Sequence, residues 1–100
     1  MEFIDNTLIE DFSNDGAVLC KGIFLDWINP LRIGIDKLIQ NPSVRERSYT
    51  PKDGTASFFQ DLVNWDRIPE FNDFIFKSNI GFYAAKLMKS KKSRFFHDHV

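Results

Sequence analysis

The sequence has few of the residues that build metal clusters, disulfides or nucleotide loops. It holds one cysteine, Cys20, and two histidines in 100 residues, so neither an internal disulfide nor a zinc cluster of cysteines and histidines can form. Its five glycines make neither a phosphate-binding loop nor a dinucleotide fingerprint. These absences exclude disulfide-stapled domains, zinc fingers and the common nucleotide-binding folds.

The chain also lacks a long apolar run and a strong charge of one sign. The start, residues 1–5, has no basic flank and apolar stretch typical of a signal peptide, so a cytoplasmic protein is expected. The formal net charge is −1, which gives no overall field for nucleic acid or an anionic membrane, and we expect neither as a partner. A hydrophobic fraction of 43% predicts a folded chain, and its length allows a single domain over residues 1–100.

Hydrophobic spacing predicts the main helix. Trp27, Leu31, Ile35 and Leu38 recur every three or four residues between positions 26 and 41, with a proline in or before the first turn and Asn-Pro ending the run. The same reasoning predicts three shorter helices, a buried strand, a long loop and a final strand. Their ranges, in chain order, are helix 7–15, strand 17–20, loop 42–57, a helix from Pro69, a helix after Ser78 and Asn79, and a strand ending at Val100.

The final predicted strand holds both histidines. In an extended strand successive side chains alternate between faces, so His97 and His99 share one face and Asp98 takes the other. Two imidazoles on one face can hydrogen-bond, titrate near neutral pH or bind a metal. Two interpretations stay open from the residues alone, a structural pair and a functional pair.

Two aspartates are further candidates for chemistry. Asp53 and Asp61 carry carboxylates, but neither belongs to a motif, and aspartate at such positions usually caps or turns the backbone. We therefore favour a structural role for both over acid/base catalysis.

The residues resemble a known family, the phytanoyl-CoA dioxygenase-like proteins. The likeness is carried by an ordered set of short motifs along most of the chain. These are Gly16-Ala17-Val18-Leu19 with Gly22, Asp26-Trp27, Pro30-Leu31-Arg32, Gly34, Tyr49-Thr50-Pro51, Asp53-Gly54, Phe58-Phe59-Gln60-Asp61, Asn64-Trp65, Arg67-Ile68-Pro69, Leu87-Met88 and Arg94 to Val100.

This resemblance implies an oxygenase that uses Fe(II) and 2-oxoglutarate to hydroxylate a small-molecule substrate. It implies an α+β fold in which these helices and strands are the N-terminal part of a double-stranded β-helix, or cupin-like jelly roll. The two histidines would face the cavity, where they contact the substrate or support the metal ligands. Phe59, Asp61 and Trp65 would help to form the substrate rim, because pockets for small molecules combine aromatic walls with a few polar groups.

The chain departs from the family pattern at the metal. An iron site of this kind needs two histidines and a carboxylate, and His97-Asp98-His99 is not a His-x-Asp motif. The iron ligands and the arginine for 2-oxoglutarate would lie beyond residue 100, so no metal ligand and no catalytic residue is assigned here. We expect no cofactor and no activity for the 100 residues alone.

Two other functions fit the same residues. His97 and His99 can be read as the His-x-His metal pair of a metallohydrolase. Alternatively, the chain is a small interaction module without enzymatic activity, whose final strand pairs with a partner by edge addition.

Overall fold

Helices dominate the protein. A computed structural model describes residues 3–100, and in that range it contains α1 (Asn6–Asp15), a 3₁₀ turn (Leu25–Trp27), α2 (Ile28–Gln40), α3 (Pro69–Lys77) and α4 (Ile80–Leu87). The four helices lie close to the positions that hydrophobic spacing predicts. The segments between them carry little regular hydrogen bonding.

The helix ends follow local chemistry. Asp5 caps α1, two residues before the predicted start of this helix, because its carboxylate accepts a hydrogen bond of 2.9 Å from the Leu8 amide. Gly16 ends α1 in the left-handed conformation, with φ of 76°. Pro69 occupies the first turn of α3, where its missing N–H costs nothing.

The core lies between α2 and α3. Leu38 on α2 is fully buried and packs with Ile68 and Phe71, and Leu31 and Ile35 cover the edge of this cluster. The predicted α2 stripe is therefore confirmed as a buried face. The indole of Trp27 extends it by an edge contact with Phe74, at 5.7 Å between ring centroids.

Close packing of the two helices depends on a glycine. A Cβ placed on Gly34 would lie 2.7 Å from the Phe71 ring and 3.1 Å from the Glu70 Cβ, which is closer than real Cβ contacts. Beside this contact, Lys37 on α2 pairs with Glu70 on α3 at 2.8 Å. The pair and the glycine together set how α2 lies on α3.

The predicted α+β class is wrong for the described part of the chain. Residues 3–100 contain no strand and no sheet, so the structure is all-helical and gives no support to a jelly roll. Residues 17–20 form no strand, and Leu19 is 74% exposed. The final residues pair with another segment at one isolated bridge, Leu62 with His99. A strand needs a partner along its length, and most of the backbone of residues 93–97 has none here.

The protein is extended and exposes much apolar surface. Its radius of gyration is 16.2 Å, whereas a compact domain of 100 residues has about 13 Å. Its accessible surface is 7706 Å², against roughly 5,900 Å² for a folded monomer of this mass. The exposed apolar side chains include Phe76, Phe82, Met88 and Phe96.

Within residues 3–100, each helix is too short or too polar to cross a bilayer.

Candidate functional site

Two segments distant in sequence meet beside the helical core. Residues 61–65 (the 61–65 segment) run antiparallel to residues 98–100, and Asp61 and Val100 exchange two backbone hydrogen bonds of 2.9 and 3.0 Å. The pairing brings three motifs of the family resemblance together, Phe58 to Asp61, Asn64-Trp65 and Arg94 to Val100. The candidate site is built on this junction.

Asp98 makes most of the contacts across the junction. Its backbone carbonyl accepts a hydrogen bond from the Val63 amide at 3.1 Å. Its carboxylate accepts from the Asn64 amide at 2.8 Å and from the Trp65 amide at 2.9 Å. One residue thus satisfies three consecutive N–H groups, as a helix cap does for a helix end.

The carbonyls of the same segment are held from the other side. Arg45, in the long loop, donates from Nε to the Leu62 carbonyl at 2.8 Å and from a terminal guanidinium nitrogen to the Val63 carbonyl at 2.6 Å. The Arg45 guanidinium therefore binds the carbonyls of this segment, and the Asp98 carboxylate binds its amides on the other side. Hydrogen bonds with an ionised partner are the stronger kind.

Val63 adopts a rare backbone conformation inside this frame. Its φ is 58°, in the left-handed region that a β-branched residue seldom occupies. Such strain persists only when the surrounding contacts enforce it. The Val63 amide donates to Asp98 and the Val63 carbonyl accepts from Arg45, so hydrogen bonds hold this residue on both sides.

Asp61 fixes the long loop to the segment. Its side chain is fully buried and accepts hydrogen bonds from the Ser43 amide at 2.7 Å, the Ser43 hydroxyl at 2.5 Å and the Leu62 amide at 2.7 Å. Burial is the largest single influence and raises its pKa, but the hydrogen bonds together lower the pKa of Asp61 below the ordinary value. Asp61 is therefore a buried, ionised carboxylate that holds the backbone of the long loop at Ser43 against the 61–65 segment, in agreement with the predicted structural role.

The second candidate carboxylate also has the predicted structural role. Asp53 accepts hydrogen bonds from the amide and the hydroxyl of Thr55, at 3.0 and 2.8 Å. These bonds lower the pKa of Asp53 below its ordinary value. It stabilises a turn in the exposed loop and does not belong to the junction.

The two histidines lie on the solvent side of the junction. His97 and His99 are both exposed, whereas Asp98 turns to the 61–65 segment and Val100 packs against the core cluster. The alternation expected of a strand is therefore present over these four residues, although no strand forms. The His97 ring stacks on Phe96 at 4.6 Å between centroids.

The two aromatic site candidates have different surroundings. Trp65 is half-buried and its indole makes edge contacts with Phe95 and Phe76, at 5.8 and 6.0 Å between centroids. Like Trp65, Phe59 packs against the core cluster of Leu38 and its neighbours. The structure thus joins Asp61, Trp65 and His99 at the junction and assigns Phe59 to core packing.

Two apolar cavities flank the C-terminal residues. One of about 250 Å³ lies between the helices and residues 95–100, and Asp98 is the single charged residue in a lining of Leu31, Phe71, Phe74, Ile75, Ile80, Phe95, Asp98 and Val100. A more open groove of about 420 Å³ runs between α3, α4 and residues 93–96. Its walls are mainly apolar, with Arg94 and Ser93 at the edge.

The donor groups of the described chain do not form a metal centre. No three histidine, cysteine, aspartate or glutamate side chains of residues 3–100 come together as a possible ligand set. The carboxylate nearest the histidines in sequence, Asp98, is bonded to backbone amides. The residues present therefore do not fit an iron site on their own.

Sequence reasoning missed the residues that hold the site together. No motif includes Ser43, Arg45 or Val63. The hydrogen-bond partners of Ser43 and Arg45, which both lie in the long loop, are 17 to 18 residues away in sequence. Asp98 was identified only as the residue that points away from the histidines. A buried hydrogen bond between distant residues leaves no periodic signal in a sequence.

Comparisons with protein-family models, curated proteins and solved structures find no match to this chain. The resemblance to phytanoyl-CoA dioxygenase-like proteins therefore rests on the residues quoted above.

Proposed function

We propose that this chain is the N-terminal segment of an Fe(II)- and 2-oxoglutarate-dependent dioxygenase of the phytanoyl-CoA dioxygenase family, which hydroxylates a small molecule. The ordered motifs carry the likeness, and several of them converge at one place. Asp61, Trp65 and Asp98 belong to separate motifs, and hydrogen bonds join them at the junction. Chance matches scattered along a sequence would have no reason to meet.

The single observation that carries the proposal is that residues 97–100 present two different faces, one packed against the protein and one exposed. Asp98 and Val100 face the helices, while His97 and His99 face away from them. In an oxygenase of this family the helices would support the outside of the catalytic core, and the histidines would look into its cavity. Their exposure in this chain is what that arrangement requires when the core is supplied by further residues.

The amount of uncovered apolar surface also supports the proposal. The accessible area of 7706 Å² exceeds the expectation for a compact chain of this mass by roughly 1,800 Å². A standard interface buries about 800 Å² on each partner. The surface therefore suits a segment covered by a larger body, and the groove beside Phe95 and Phe96 contributes to it.

Roles for the site residues follow from their surroundings. His97 and His99 are exposed and can contact a substrate or hydrogen-bond a metal ligand from the rest of the enzyme. His97 would do so through Nε2, because its Nδ1 lies 3.2 Å from the Asp98 carbonyl. Trp65 offers an aromatic wall at the rim, whereas buried Asp61 acts by holding the backbone. Iron and 2-oxoglutarate would be bound by residues outside this chain, and no chemical step is assigned to its side chains.

The coding sequence after codon 100 provides the test. We expect a His-x-Asp motif, a distal histidine and an arginine, and a longer polypeptide that consumes 2-oxoglutarate only with Fe(II). Ligands for two hydrolytic metals beside His97 and His99 would favour the metallohydrolase instead. A stop codon, or a longer product with no 2-oxoglutarate turnover, would contradict the proposal and leave the interaction module.

A further inference from the structure

We propose that Asp98 is a positioning residue that holds Val63 in its left-handed conformation and thereby fixes the Trp65 indole at the rim of the site. The idea that this rim contacts a substrate rests on the proposed oxygenase function. The hydrogen bonds and the backbone conformation that carry the inference are properties of this chain alone.

The first step is the direction of the chain at Val63. Its φ of 58° departs from the extended conformation between the bridge at Leu62 and Trp65. A left-handed valine is unfavourable because its branched Cβ crowds the backbone. Without external contacts the segment would relax to an extended conformation, and Trp65 would leave its present place.

The second step is the contacts that oppose this relaxation. Asp98 accepts from the amide of Val63 at 3.1 Å and from those of Asn64 and Trp65 at 2.8 and 2.9 Å. The Val63 amide donates to the backbone carbonyl of Asp98, whereas the Asn64 and Trp65 amides donate to its carboxylate. Extending residue 63 would turn the latter two amides away from the carboxylate. Asp98 is therefore placed to keep the strained turn closed.

The third step is what the turn positions. The Trp65 indole contacts Phe95, 5.8 Å between centroids, on the chain that leads to the exposed histidines. Asp98 lies between the two histidines in sequence and faces the opposite way. The Asp98 carboxylate thus positions the Trp65 indole on the 61–65 segment. Because Asp98 points to that segment, the imidazoles of His97 and His99 point outward.

The test uses the 100-residue chain labelled with 5-fluorotryptophan, with Trp27→Phe to assign the two signals. In Asp98→Asn, amide hydrogen exchange of Asn64 and Trp65 should become at least about tenfold faster, and the fluorine resonance of Trp65 should shift while that of Trp27 stays. Asp66→Asn is the matched control, since Asp66 adjoins the same tryptophan but is exposed. Unchanged exchange and an unchanged Trp65 resonance in Asp98→Asn would overturn the proposal.

A rescue experiment distinguishes positioning from general support. Glycine adopts positive φ without strain, so adding Val63→Gly to Asp98→Asn should return the Trp65 resonance toward its wild-type position. Val63→Ala, which removes the two methyl groups but keeps the Cβ that disfavours positive φ, should restore it less. Equal rescue by both variants would refute the idea that Asp98 holds a strained turn.

A third variant keeps the question answerable if Asp98→Asn unfolds the chain. With Asp98 intact, Val63→Gly should slow exchange of the Asn64 and Trp65 amides at least twofold relative to Val63→Ala, and equal rates would count against the proposal. Turnover of 2-oxoglutarate by the longer polypeptide is measured separately. Its absence would remove the proposed function and leave the role of Asp98 in this chain to be decided by the resonance data.

Discussion

The α2–α3 core and the junction of residues 61–65 with 98–100 are stabilised in different ways. The core is held by apolar burial, with Leu38 at its centre and Phe71 against Gly34. The junction is held by carboxylates, Asp61 and Asp98, that accept backbone hydrogen bonds. The difference teaches that two kinds of interaction hold adjoining parts of this protein, apolar burial between the helices and hydrogen bonds to carboxylates at the junction, with Trp65 and Val100 in contact with both.

The largest effect is expected in the core. Leu38→Ala should lower the free energy of unfolding by about 2 to 5 kcal/mol, because it removes buried contacts and leaves a cavity. Arg32→Ala, exposed on the same helix, should change it by about 0.5 kcal/mol or less. Urea denaturation of both variants measures the contrast. Similar midpoints for the two would show that the α2 face is assigned wrongly.

The next effect concerns the contact between the helices. Gly34→Ala should cost about 1 to 3 kcal/mol by overpacking, since the new Cβ would meet the buried Phe71 ring at 2.7 Å. Gly81→Ala is the matched change on α4, where the Cβ would meet only the Ser93 hydroxyl at 3.2 Å. The Ser93 hydroxyl donates a hydrogen bond of 2.6 Å to the Gly81 carbonyl, but Ser93 is exposed and can shift slightly. Because alanine also favours helix, Gly81→Ala should cost less than Gly34→Ala. Thermal unfolding that ranks the two in the opposite order would contradict this packing.

The junction should respond to charge and pH. Asp61→Asn should cost about 1 to 3 kcal/mol at neutral pH, because an amide cannot accept all the hydrogen bonds from Ser43 and Leu62. The pKa of Asp61 is lowered on folding, so its stabilisation is fully present above the unfolded pKa of about 3.9. It is lost as the pH falls through the folded pKa.

This linkage has a direct measurement. The Tm of the wild-type chain should fall more steeply below about pH 4 than that of Asp61→Asn, while Asp66→Asn, at an exposed carboxylate, should follow the wild type. Parallel Tm curves for wild type and Asp61→Asn would mean that the buried carboxylate is not a source of acid sensitivity.

The smallest effect is expected at the outward positions. His97→Ala and His99→Ala should each change stability by about 0.5 kcal/mol or less, because both side chains are exposed. Val100→Ala should cost more, about 1 kcal/mol, since Val100 packs against the core cluster. Thermal unfolding of the three variants compares the two faces. If either histidine variant lowered the Tm as much as Val100→Ala, the assignment of the histidines to the exposed face would be wrong.

Sequence predicted the helices well and the sheet badly. The stripe from Trp27 to Leu38 is a local pattern, repeated every three or four residues, and it places the buried face of α2 without knowledge of the rest. The apolar run 17–20 and the aromatic and histidine-containing segment 93–100 predict strands, but a strand exists only if another segment lies alongside. The described chain offers that partner at the bridge of Leu62 and His99 and not along the rest.

For the candidate site, sequence named residues but not their arrangement. Strand alternation selects His97 and His99, and the family resemblance selects Trp65; the exposure of both histidines agrees with a shared face. The bonds from Ser43 to Asp61 and from Asn64 to Asp98 span 18 and 34 residues. No spacing rule connects residues that far apart.

What the sequence by itself determined is local: the four helices, the buried face of α2, the proline start of α3 and the opposite directions of Asp98 and its two histidine neighbours. These follow from backbone geometry and from interactions within a few residues. Only the tertiary structure decided that Asp98 accepts from the amides of Asn64 and Trp65, that Arg45 donates to the carbonyls of the same segment and that Gly34 admits Phe71. Those outcomes depend on which distant groups meet, and the meeting is set by packing of the whole chain.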